Sequence, residues 1–157
     1  MGAVFFYHLT RQPLEVTLPV LLNKARAAGW RVVVRGRDAD ILDWLDEKLW
    51  LGPEDGFLAH GRAGGEFDAR QPILLSESAD PAPNNAECIM SVGGADISAV
   101  EVNEADRACI LFDGHDDKAT DHARAQWKSL TEAGCAAQYW SEEGGKWEMK
   151  AESAASA

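Results

Sequence analysis

The sequence predicts an α/β layered fold with a mostly parallel sheet and crossover helices. Three observations carry this. Short continuous apolar runs recur along the chain, stretches with helical spacing lie between them, and Gly, Pro and Asp stand at the junctions. The 157 residues fit one domain of ordinary size. With 46% hydrophobic and 26% charged residues, the composition is globular. Residues 1–150 read as the domain, and "AESAASA" (151–157) reads as a disordered tail.

"AVFFYHL" (Ala3–Leu9) is apolar throughout, as a strand buried on both faces would be. In "PLEVTLPVLLNKARAAG", Leu14, Leu18, Leu21, Leu22 and Ala25 recur at helical spacing, and Gly29 supplies the stop. Pro19 interrupts this pattern and is expected in the first turn, with the helix starting near Thr17. "WRVVVRG" is a second strand. "DADILDWLDEKLW" is a helix capped by Asp38 or Asp40, with Ile41, Leu42, Leu45 and Leu49 as its apolar stripe. "GPEDGFLAHGRAGGE" has loop chemistry, with "FLAH" as a short strand, and the glycine-rich His60–Phe67 stretch reads as a flexible loop. "PILLS", "CIMSV" and "ACILFDG" are the third, fourth and fifth strands. A helix over "DHARAQWKSLTEAG" follows. In "AAQYWSEEGGKWEMK", "EEGG" is a hairpin turn between two short strands.

Charge and missing motifs exclude several functions. A net charge of −11 opposes tight DNA binding, which needs clustered Lys and Arg against phosphates. Cys88, Cys109 and Cys135 are odd in number and form no C-x-x-C, as expected of reduced thiols and a cytoplasmic address. The start lacks the signature of a signal peptide, and no run approaches the roughly 20 apolar residues of a membrane span. There is no G-x-x-x-x-G-K-[ST], no G-x-G-x-x-G and no G-x-S-x-G. After the first strand, "TRQPLE" contains no glycine to bring backbone N–H groups close to a phosphate. No cofactor is called for. "DGHDDKATDH" gathers acids and histidines at a strand end, but His115 and His122 are seven apart. A metal pair on a helix wants three or four, so no metal is expected. Asp116 or Asp117 is better read as a helix cap. A small α/β enzyme using His60, His115 and the nearby aspartates is the alternative reading.

At about 100° per residue, Ala119, Ala123, Leu130 and Ala133 form one apolar stripe on the last helix. Trp127 falls at its edge, and Arg124 and Lys128 lie together beyond it. Such a trio suits a boundary tryptophan with snorkelling cations. It also suits a pocket edge that takes an apolar group beside a carboxylate, such as a peptide C-terminus with an aromatic last residue.

"VFFYHL", "KLWLGPEDGFLAHG" and "RAQWKSLTEAG", in that order, resemble the chi subunit of bacterial DNA polymerase III. "PILLS" and Asn103–Arg107 ("NEADR") also fit its layout. The resemblance covers roughly residues 3 to 150. It implies a three-layer, Rossmann-like α/β fold with a mostly parallel sheet and no phosphate-binding loop. It also implies no catalysis of its own. The chi subunit is an accessory of the clamp-loader complex. It pairs with the psi subunit and holds the acidic, phenylalanine-ended C-terminal tail of single-stranded DNA-binding protein. The family's basic–aromatic–basic tail positions correspond to Arg124, Trp127 and Lys128. Its further upstream lysine is Thr120 here, and its frequent tyrosine is Trp127. The psi-contact region is expected at the "LWLGP" turn, with Trp50 and Pro53.

Overall fold

The computed structural model describes residues 2–50, 59–78 and 82–154. The first strand, β1 (Ala3–Leu9), sits where the apolar run places it. The first helix, α1 (Leu14–Ala27), starts three residues earlier than its proline suggests. Pro13 takes the N-cap position, and its carbonyl accepts the Val16 and Thr17 N–H groups. Pro19 therefore lies in the second turn, inside the helix. It removes a single N–H, while Leu14, Leu18 and Leu22 on the core side keep the segment seated.

After β2 (Val32–Arg35) comes α2 (Ala39–Trp50). Asp38 caps α2, its Oδ1 accepting the Ile41 N–H at 3.0 Å. The next described strand is β3 (Gly61–Arg62); of the "FLAH" stretch, residues 57 and 58 lie outside the described residues. A single 3-10 turn at Asp68–Arg70 precedes β4 (Ile73–Ser76), and β5 (Cys88–Ser91) follows. A short helix, α3 (Ala99–Glu104), is absent from the sequence reading. Its signal is nonetheless present as the capping box S-A-V-E. Ser98 accepts the Glu101 N–H, and the Glu101 carboxylate accepts the Ser98 N–H. The chain then forms β6 (Arg107–Asp113), α4 (Asp117–Glu132) and the hairpin β7 (Ala136–Ser141) and β8 (Glu148–Ser153). β8 runs past the boundary drawn at residue 150. Backbone pairing with β7 and a bond from Gln138 Nε2 to Glu152 hold this end.

The strands form one eight-stranded sheet in the order β3-β4-β2-β5-β6-β1-β7-β8. All neighbours are parallel except β7 and β8. Alternation along each strand splits the core in two. Tyr7, Val32, Val34, Leu75, Met90 and Leu111 meet α1 and α2 on one face. Val4, Phe6, Val33, Ile89, Ile110 and Phe112 meet α3 and α4 on the other. The result is a three-layer α/β sandwich with a mostly parallel sheet.

This arrangement sets up a crevice. α1 leaves β1 over one face, while α4 leaves the adjacent β6 over the other. The carboxyl ends of β1 and β6 thus flank a topological switch point, the usual place for sites in open α/β sheets.

Candidate functional site

α4 is the element on which the sequence places the site. Asp116 caps it, its Oδ1 accepting the Lys118 and Ala119 N–H groups at 2.9 and 3.3 Å. Gly134, with φ of 91°, ends it. Ala123, Gln126 and Leu130 are its buried residues, and Ala119 packs against them half-covered. Gln126 was not part of the apolar stripe read from the sequence. Ala133, which was, is the exposed C-cap.

Trp127 is half-buried. Its ring meets Phe6 edge-on at 5.4 Å and Tyr139 at 6.1 Å. The indole therefore stands where the core reaches the surface. Arg124 and Lys128, one turn apart on the same flank, are both exposed. Arg124 approaches Asp121 only at 3.9 Å, with both side chains mostly in water, which is too weak to occupy the guanidinium. Lys128 forms no ion pair among the described residues. Thr120 lies one turn before Arg124 and donates its hydroxyl to the Asp116 carbonyl, so no third cation stands there.

Sequence reasoning missed Tyr139 as a neighbour of this flank. Its hydroxyl lies 3.1 Å from His8 Nδ1, and its ring continues a cluster of Trp127, His8 and Phe112. Burial raises the Tyr139 pKa, while the Arg124 charge opposes that rise. Tyr139 and Arg124 are thus electrostatic neighbours across the β7–α4 junction. The signal was available, because alternation along β7 puts Tyr139 on the same face as buried Ala137.

The switch-point crevice on the other flank of α4 is a cleft of about 750 Å³, bordered by Thr10, Arg37, Gly94, His115, His122 and Gln126. His115 Nε2 reaches the Thr10 carbonyl at 2.6 Å, and His122 Nε2 reaches Asp96 Oδ1 at 2.8 Å. His60 does not join them. It is buried at the far edge of the sheet beside Trp50 and pairs with Asp46 at 3.0 Å. β4, β2 and β5 separate β3 from β6. The two loops required by the enzyme reading therefore do not converge. Among the described residues, no three His, Cys, Asp or Glu side chains are grouped to hold a metal ion. No described helix is long and apolar enough to cross a membrane. The three cysteines are free and buried.

A model of the family described as DNA polymerase III chi subunit, HolC, matches residues 1–138. The chain belongs to that family. The match covers all of α4, including Arg124, Trp127 and Lys128, and stops one residue before Tyr139. The chain is also similar to a "Probable DNA polymerase III subunit chi" of Rickettsia prowazekii (strain Madrid E), 23% identical over 94 residues. That alignment covers 60% of this chain and 56% of the Rickettsia protein, little more than half its length. As a chi-family chain, it belongs with accessory polymerase subunits. Of the expected psi-contact residues, Trp50 is 54% exposed at the end of α2, and Pro53 lies outside the described residues.

Proposed function

We propose that this chi-family protein is a non-catalytic adaptor of the DNA polymerase III clamp loader, and that it holds the acidic C-terminal tail of single-stranded DNA-binding protein at Arg124, Trp127 and Lys128. One observation carries the reading. On a chain of net charge −11, two exposed cations stand beside a half-buried tryptophan on one flank of α4. A tail ending in phenylalanine presents the complement, a ring next to a terminal carboxylate and preceding acids. Its ring would meet Trp127 and Tyr139, and its carboxylates would pair with Arg124 and Lys128. The exposed Trp50 supports a psi-contact region at the end of α2, and Pro53 stays in that proposal by sequence position. Work in the cytoplasm follows from the same role.

The test is binding of a labelled acidic peptide, with and without its last phenylalanine, to the wild type and to Arg124→Ala and Lys128→Ala. Each substitution should weaken binding by about 1–3 kcal/mol, as expected for a lost charge-assisted contact. Removing the phenylalanine should weaken it further. Unchanged affinity in both variants would sink the site.

A further inference from the structure

The loop between β1 and α1 carries a feature that the chi-family role does not use. The N–H groups of three consecutive residues, Thr10, Arg11 and Gln12, converge on one oxygen, Glu142 Oε1, at 3.3, 2.9 and 2.8 Å. Glu142 is only 4% exposed. It comes from the end of β7, about 130 residues away along the chain. Successive backbone N–H groups aimed at one point form a concave nest, and such nests bind anions. This nest follows the first strand of a doubly wound sheet, at the carboxyl edge, where phosphates are bound in nucleotide-binding folds.

Two further observations suggest that the loop suits an oxyanion richer in acceptors than a carboxylate. Thr10 Oγ1 is buried and has no hydrogen-bond partner among the described residues, so the loop holds a hydroxyl whose needs Glu142 does not meet. Gln126 Nε2 is likewise buried and unpartnered, on the wall of the cleft that Thr10, Arg11 and Gln12 also border. The sequence lacks the glycines that let a loop approach phosphate closely, yet the amides converge. The missing glycines therefore did not remove the nest, and what fills it is part of the chain.

We propose that the β1–α1 loop is a phosphate-type oxyanion site that this chain fills with its own Glu142 carboxylate, so that Glu142 and a free oxyanion compete for the same three amides. The internal carboxylate ties the β7–β8 hairpin to the start of α1. Arg11 reinforces the tie, donating through Nε and Nη2 to the Glu143 carbonyl at 3.1 and 2.9 Å. Glu142 lies beyond residues 1–138, the part of the chain that the family model matches. The device belongs to this chain's own geometry and is independent of any contact with an acidic tail.

The experiment follows the backbone amide resonances of Thr10, Arg11 and Gln12, and the thermal midpoint, during titration with inorganic phosphate against sodium chloride at matched ionic strength. In the wild type the three amides should stay still. In Glu142→Ala, phosphate but not chloride should shift all three saturably and raise the midpoint. Glu142→Gln keeps an acceptor without the charge and provides a better-folded variant, in which phosphate should shift the same amides. If Glu142→Ala folds in phosphate but not in chloride, that also supports the site. The proposal is overturned if folded variants show no phosphate response at these amides, or if Glu142→Ala is unfolded in both salts and Glu142→Gln is unresponsive.

Discussion

At the scale of single residues, Trp127 serves two environments, and its substitutions should separate them. Its inner edge packs on Phe6 and Tyr139, while Arg124 and Lys128 stand exposed at neighbouring positions of the same helix. Trp127→Ala should cost about 2–3 kcal/mol of stability, below the range for a fully buried tryptophan because the ring is half-covered. It should also weaken tail binding. Arg124→Ala should leave the melting midpoint nearly unchanged, so denaturation of both variants alongside peptide binding tells packing from contact. Glu101 offers a different reading, through pH. Burial raises its pKa, but the Arg35 hydrogen bond, the Ser98 donors and the Arg35 charge together outweigh this, and the net shift is downward. A carboxyl lowered by folding adds stability above its unfolded pKa, near 4.3. That stability is lost as pH falls through the folded value. Glu101→Gln should therefore melt below the wild type at neutral pH, and the two should converge in strong acid. A gap that stays constant across a pH series of melting curves would contradict the ion pair's role.

Among the elements, α1 contains the clearest conflict between local preference and fold. A proline in the second turn removes the N–H that would bond the Glu15 carbonyl, yet the helix continues through Ala27. Pro19→Ala should restore that bond and stabilise the protein by about 1–2 kcal/mol, less than the full proline cost because alanine also loosens the unfolded chain. Chemical denaturation checks the sign, and unchanged or lower stability would mean that the helix gains nothing from the bond. The same helix shows why the sequence was legible in some places and not in others. The strands with continuous apolar runs, β1, β2, β4, β5 and β6, are read correctly because burial on both faces demands such composition. Pro19 misled because a proline's local preference weighs more in the sequence than the tertiary contacts that override it. α3 escaped because six residues give too short a period to see. On α4, the spacing alone placed Arg124, Trp127 and Lys128 side by side. Alternation along β7 puts Tyr139 on a core face, but that α4 covers this face depends on β7 running beside β1, which no local pattern states.

For the whole molecule, the balance of charge governs association. A protein of net charge −11 repels an acidic tail at long range, so the attraction proposed for Arg124 and Lys128 would have to act locally. Salt screens both terms over a Debye length of about 8–10 Å at ordinary ionic strength. The proposed contacts are solvent-exposed, so salt should weaken binding, and the loss should be shallower in Arg124→Ala than in the wild type. Titrations across a salt series test this, and equal slopes would place the attraction elsewhere. The sheet's two ends, meanwhile, limit how a partner can arrive. On one side the described edge is the two residues of β3, too short to template another strand. On the other, β8 alternates Glu148, Lys150 and Glu152, with Lys150 paired to Glu148 at 3.1 Å. Such margins discourage strand addition. Strand addition at either described edge is thus disfavoured, so a partner that seats on a helical flank would leave the sheet, and the fold it carries, unchanged.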